Sequence, residues 1–250
     1  MDQAATGARG ARDAFEGLLA DAPHIARELP PGYLDAIEHY VALLLEANRT
    51  INLTRLTDAR DVAKLHLLDA LAALPIVDEI GGPAIDLGSG GGVPAIPLAL
   101  ARPTTSWTLV DSVAKKAAVL RDIAEALGLN TLTVLAARAE TLGHDRAHRE
   151  AYRLVTARAC APLPVLAELA LPLVRIGGSL VAWKGPLSAQ DEEWRSGLSA
   201  AAQLGGADAQ IVEPGLTALG GHRFVVVAKR GITDQRFPRR PGEPSRRPLA

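Results

Sequence analysis

The sequence predicts an α/β protein in which a mostly parallel sheet is covered by helices on both faces and preceded by helices alone. Three observations carry this. Residues 1–80 place apolar side chains at helical spacing and contain no alternating strand run. From Pro83 onward, short apolar runs alternate with helical patterns. Near the end, two runs flank Gly220-Gly221, a turn short enough for an antiparallel pair. With 48% hydrophobic and 22% charged residues, the 250-residue chain can bury a substantial core.

The spacing predicts a first helix over 14–28, closed by Pro30-Pro31-Gly32. A second spans 33–47, with Leu34, Ile37, Tyr40, Val41 and Leu44 on one face. A third spans 58–74, with Asp58 or Asp61 available as N-cap and Pro75 beyond its end. Strands are expected at 84–87, 107–110, 131–136, 152–157, 179–184, 210–213 and 224–229. Helices fall between them, beginning near Pro94, at 112–127, near 164–174 and at 188–203. The chain thus divides into a helical extension (1–80), an α/β core (81–232) and a tail (233–250).

Composition narrows the function classes. One cysteine, Cys160, closes no intramolecular disulfide, and the six histidines show no zinc spacing, so no metal is expected. No run approaches the roughly 18 apolar residues of a membrane span, and the N-terminus lacks a signal pattern, so a cytoplasmic location is expected. The net charge of −1 conceals an asymmetry: from Lys229 onward seven Lys/Arg face two Asp/Glu, leaving residues 1–228 at −6. The Pro- and Arg-rich stretch 236–250 is expected to be disordered, either a solvated tail or a basic arm that helps hold RNA.

The chemistry concentrates at Ile85-Asp86-Leu87-Gly88-Ser89-Gly90-Gly91-Gly92-Val93-Pro94. A glycine turn between the first strand and a helix lets a ligand approach the backbone. Val93 stands where a dinucleotide fingerprint needs glycine or alanine, and no Gly-Lys-Ser/Thr follows as in a P-loop. Asp86 would repel a pyrophosphate and favour a cationic ligand. S-adenosylmethionine has that character. Asp111 ends the second strand, where a carboxylate can accept both ribose hydroxyls; capping of the next helix is a second role for it, and both can hold at once.

Along nearly its whole length the sequence resembles the bacterial 16S rRNA guanine-N7 methyltransferases, the glucose-inhibited division protein B family. Asn52-Leu53-Thr54, His66-Leu67-Leu68-Asp69, Asp86 to Leu98, Val110-Asp111-Ser112, Arg138-Ala139-Glu140, Arg158-Ala159 and Trp183-Lys184-Gly185 carry the resemblance. It implies a seven-stranded Rossmann-like sheet with an antiparallel last strand, S-adenosylmethionine as cofactor, and methylation of a guanine N7 in the 530 loop of 16S rRNA in the 30S subunit. It further implies that Gly88 and Val93 line the methionine part, that Ala139 and Glu140 meet the adenine, and that Arg158 contacts the cofactor. Gly90 belongs to the same cofactor loop. Arg158, ending the fourth strand, can hold the cofactor carboxylate or an RNA phosphate, with an internal salt bridge as the alternative. Lys184, after the fifth strand, is the candidate substrate contact; His66 reads as a core histidine.

No catalytic triad or carboxylate pair is visible, and none is demanded, because guanine N7 carries a lone pair and no proton. The Ala157-Arg158-Ala159-Cys160-Ala161-Pro162 segment lacks the Asp/Asn-Pro-Pro-aromatic pattern of adenine-N6 enzymes. Cys160 lacks the preceding proline of cytosine-C5 enzymes. A methyltransferase of another substrate, or a ribosome-associated protein that binds S-adenosylmethionine without turnover, stand as alternatives.

Overall fold

A computed structural model describes residues 3–249. The helices α1 (Gln3–Ala20), α2 (Pro23–Arg27) and α3 (Tyr33–Asn48) come first. Ile37, Tyr40, Val41 and Leu44 of α3 are buried, as their spacing predicts. The next stretch begins at Asp58, whose Oδ1 accepts from the N–H of Arg60 (2.9 Å) and of Asp61 (3.2 Å). It runs as α4 (Ala59–Asp61), a π-helix (Val62–Leu68) and α5 (Asp69–Leu71). The chain then starts α6 (Leu74–Ile80), so Pro75 opens a helix instead of following one.

The remaining elements alternate: β1 (Ala84–Leu87), α7 (Ala95–Ala101), β2 (Trp107–Asp111), α8 (Ala114–Ala126), β3 (Leu132–Ala136), α9 (Ala139–Leu142), β4 (Tyr152–Arg158), α10 (Leu163–Ala170), β5 (Val174–Lys184), α11 (Glu192–Gln203), β6 (Gly206–Val212) and β7 (Arg223–Lys229). They form one sheet in the order β3-β2-β1-β4-β5-β7-β6. Every pairing is parallel except those of β7 with β5 and β6. This is the Rossmann-like sheet expected, with β7 as its antiparallel strand. β5 starts earlier than its pattern suggests, passing through Gly177 and Gly178. A Cβ on Gly178 would lie 2.4 Å from the Arg153 carbonyl oxygen, which explains the glycine.

Two apolar layers cover the sheet. On one face Phe15, Tyr40, Leu44, Leu67 and Leu71 join Ile96 and Leu120 of α7 and α8. On the other, α10 and α11 pack Leu166, Ala170 and Trp194 against Val155 and Leu180. The strand order reverses at β1, which pairs with β2 on one side and β4 on the other. Open sheets of this kind bind ligands at such a switch point, beyond the carboxyl ends of the strands.

The tail departs from the expected disorder. Phe237 and Pro244 are buried, and a short helix α12 (Glu243–Arg246) forms. The low-complexity composition misled because Glu168, fully buried in apolar α10, requires a cation. Arg239 supplies it through Nε (2.8 and 3.1 Å) and Nη2 (2.5 Å).

Candidate cofactor site and polar network

β1 delivers Asp86 to the switch point with 1% exposure. Its Oδ1 accepts from Thr156 Oγ1 of β4 at 2.7 Å, while Oδ2 is buried and has no partner. Burial raises this carboxyl to about 6, and the Thr156 hydrogen bond opposes the rise. The turn above it is held open by backbone conformation: Gly88, Gly90 and Gly92 have φ of 69°, 53° and 94°.

The acid at the end of β2 locks this turn. Asp111 Oδ2 accepts from the Gly90 N–H (3.0 Å) and Oδ1 from the Val113 N–H (2.8 Å). The capping role therefore occurs, and it pins the glycine turn as well. From the helical layer, Tyr40 donates its hydroxyl to the Gly91 carbonyl at 2.7 Å. A Cβ on Gly91 would lie 2.8 Å from Leu44 Cδ1, and one on Gly92 2.4 Å from Ile96 Cδ1. Val93 is nearly buried in the same layer. Ala139 and Glu140 open α9 just after β3, and Glu140 Oε1 accepts from the Gly242 N–H of the tail (2.8 Å).

These residues fit S-adenosylmethionine. An unpaired buried carboxylate oxygen suits a cation, the left-handed glycines leave backbone bare of side chains, and a second acid flanks them.

Arg158, at the end of β4, is tied to the helical layer. Its Nη1 donates to the Leu65 carbonyl and to Asp69 Oδ2 (3.2 Å), and its Nη2 donates to His66 Nδ1 (2.9 Å). The internal salt bridge, the lesser alternative in the sequence, is what the structure contains. The π-helix presents the Leu65 carbonyl and His66, and the first residue of α5 presents Asp69, so three acceptors within five residues join the helical layer to β4. Because an arginine only donates, His66 Nδ1 is unprotonated and Nε2–H donates to Thr54 Oγ1 at 2.8 Å. Burial, followed by the Arg158 charge, lowers His66 to about 4, so it is a neutral core histidine.

Asp69 was missed as more than part of a motif; the signal was an acid within an apolar helical run. It is 3% exposed, its Oδ1 accepts from His222 Nδ1 at 2.9 Å, and its carbonyl accepts from Trp183 Nε1 at 3.0 Å. Lys184 forms an ion pair with Glu193 and donates to the Ala161 carbonyl (3.4 Å), fastening the loop after β4 to α11. A pocket of about 350 Å³ opens here, lined by Asp69, Arg158, Ala159, Trp183, Lys184 and His222 among others. Cys160 is exposed as a residue, yet desolvation and then the Asp86 charge push its thiol up to about 11. Among the described residues no group of three or more His, Cys, Asp or Glu is placed to hold a metal, and no helix is long and apolar enough to cross a membrane.

Sheet order, glycine turn and acids together define an S-adenosylmethionine-dependent methyltransferase. The crystal structure of the S-adenosylmethionine-dependent methyltransferase SibL is similar in fold, with a TM-score of 0.53 at 16% identity over 79% of this chain and 74% of that one. The family model described as GidB, rRNA small subunit methyltransferase G, matches residues 33–214, and the chain belongs to this family. It is 44% identical over 239 residues to the ribosomal RNA small subunit methyltransferase G of Deinococcus deserti, covering 95% of this chain and 97% of that protein. The relative of that name from Roseiflexus castenholzii is 40% identical over 94% of this chain and 100% of its own length.

Proposed function

We propose that this enzyme methylates N7 of a guanine in the 530 loop of 16S rRNA, taking the 30S subunit or its precursor as substrate. The substrate named for its relatives supports the RNA, and the unpaired Asp86 Oδ2 beneath a bare glycine turn carries the reading of the cofactor site. When bound, S-adenosylmethionine supplies an electrophilic methyl group on a sulfonium.

Asp86, Gly88, Gly90 and Val93 would hold its methionine portion, Asp111 its ribose through lone pairs left free by the two backbone bonds, and Ala139 and Glu140 its adenine. Arg158 would act by holding the π-helical wall of the pocket, and Lys184 by ordering the loop after β4 where the substrate enters. No residue has to remove a proton from N7, which matches a neutral His66 and a protonated Cys160 at the site. The task of these walls is alignment, which can be worth about 7 to 11 kcal/mol.

The test uses labelled S-adenosylmethionine with 30S particles from cells lacking this protein, followed by mapping of N7-methylguanine. One labelled guanine in the 530 loop is expected. Label entering only small molecules or protein, or cofactor retained without any product, would overturn the reading in favour of another acceptor or a non-catalytic binder.

A further inference from the structure

The C-terminal segment is a docked strap. It starts at buried Lys229, whose Nζ donates to the carbonyls of Leu171 (2.7 Å) and Leu204 (3.0 Å) and to Thr233. Arg149 then donates to the carbonyls of Phe237 (2.8 Å) and Thr233 (2.7 Å). Arg239 seats on Glu168, and the Gly242 N–H reaches Glu140. Because β7 is antiparallel, the strap leaves from the amino edge of the parallel strands. It crosses between α9 and α10, meets Glu140 through the Gly242 N–H beside the candidate cofactor site, and then turns back as α12 against α10, the Arg247 carbonyl accepting from Arg239 Nη2.

Having used Arg239 for docking, the strap still carries Arg240, Arg246 and Arg247, all exposed and without an ion pair among the described residues. Glu243 is the nearby acid of the strap. The three guanidiniums stand on a chain whose first 228 residues sum to −6, while the residues from Lys229 onward sum to +5. The Gly242 N–H donates to Glu140, so RNA phosphates that approach the carboxyl edge on the α9 side come within reach of these side chains.

We propose that the docked strap is an RNA-binding surface in which Arg240, Arg246 and Arg247 contact phosphates of the substrate RNA beside the cofactor wall. This rests on the rRNA reading above and names a contact outside the cofactor crevice. Each phosphate neutralised on single-stranded RNA adds about 0.7 to the slope of log affinity against log salt.

The full-length protein, the R240A/R246A/R247A variant and the R240K/R246K/R247K variant are compared for binding to a 16S fragment carrying the 530 loop, across a salt series. The alanine variant is expected to lose about 2 from the slope and to bind about 100-fold more weakly at about 0.1 M salt. The lysine variant should track the wild type, since a phosphate accepts either point charge, and cofactor affinity and thermal stability should be unchanged in both. An unchanged slope in the alanine variant, with wild-type protein still methylating 30S particles, overturns the strap proposal alone. A defect seen with 30S particles and absent with naked RNA assigns the surface to a ribosomal protein and also overturns it. Wild-type protein that neither binds nor methylates the RNA overturns the rRNA reading together with it.

Discussion

An unpaired carboxylate oxygen beneath the glycine turn destabilises the empty protein until something cationic meets it. Because the folded carboxyl of Asp86 is raised from 3.8 to about 6, the native state holds its proton more tightly than the unfolded chain does. The penalty is therefore absent below about pH 4, grows as pH rises towards about 6, and is complete above it, at about 3 kcal/mol. Asp86→Asn should stabilise the cofactor-free protein by up to about 3 kcal/mol near pH 7 and by little near pH 4, read from urea unfolding at both. The same titration governs the ligand: affinity for S-adenosylmethionine should fall about tenfold between about pH 7.5 and 5 as Asp86 protonates, and flat calorimetry over that range would remove its role. Asp86 was legible in the sequence because an acid inside an apolar strand, two residues before a glycine turn, has few structural reasons to be there. The partners of Asp111 were not, since no spacing announces that Gly90 and Val113 will both turn their N–H groups to one carboxylate.

At the scale of the element, the π-helix is the device that matters. It offers the Leu65 carbonyl and His66 to the guanidinium that Asp69, opening α5, also meets, so Arg158 joins two layers that share no strand. Arg158→Ala leaves the buried Asp69 charge without this partner and should cost about 3 to 5 kcal/mol, measurable as a shifted urea midpoint with an unchanged slope. His66 gives the junction a pH signature. Its folded value near 4 lies below the unfolded 6.5, so its contribution is whole above about pH 6.5 and is lost as pH falls towards 4. His66→Gln should flatten stability over that window, and a variant that keeps the wild-type acid profile would contradict this. The helix itself could be read from apolar periodicity; its π winding could not, because seven residues are too few to separate a period of about 3.6 from a slightly longer one.

Across the whole molecule, the sheet was legible because buried parallel strands read as short apolar runs, and Gly220-Gly221 marked the return of β7. The strap was illegible by composition, since its order comes from partners far away in sequence: Glu168, Glu140 and Arg149. Truncation after residue 232 uncovers Glu168 and the seat of Phe237, and should lower stability by at least about 3 kcal/mol. Arg239→Ala should reproduce much of that loss, whereas an unpacked tail would make both changes neutral. The floor of the glycine turn carries a different lesson, because Tyr40 and Leu44, half a hundred positions upstream, shape it from the neighbouring helix. Heritable loss of methylation should therefore arise from a mutational target split in two, with hits at Tyr40 and Leu44 that mimic lesions of the loop although neither residue belongs to it.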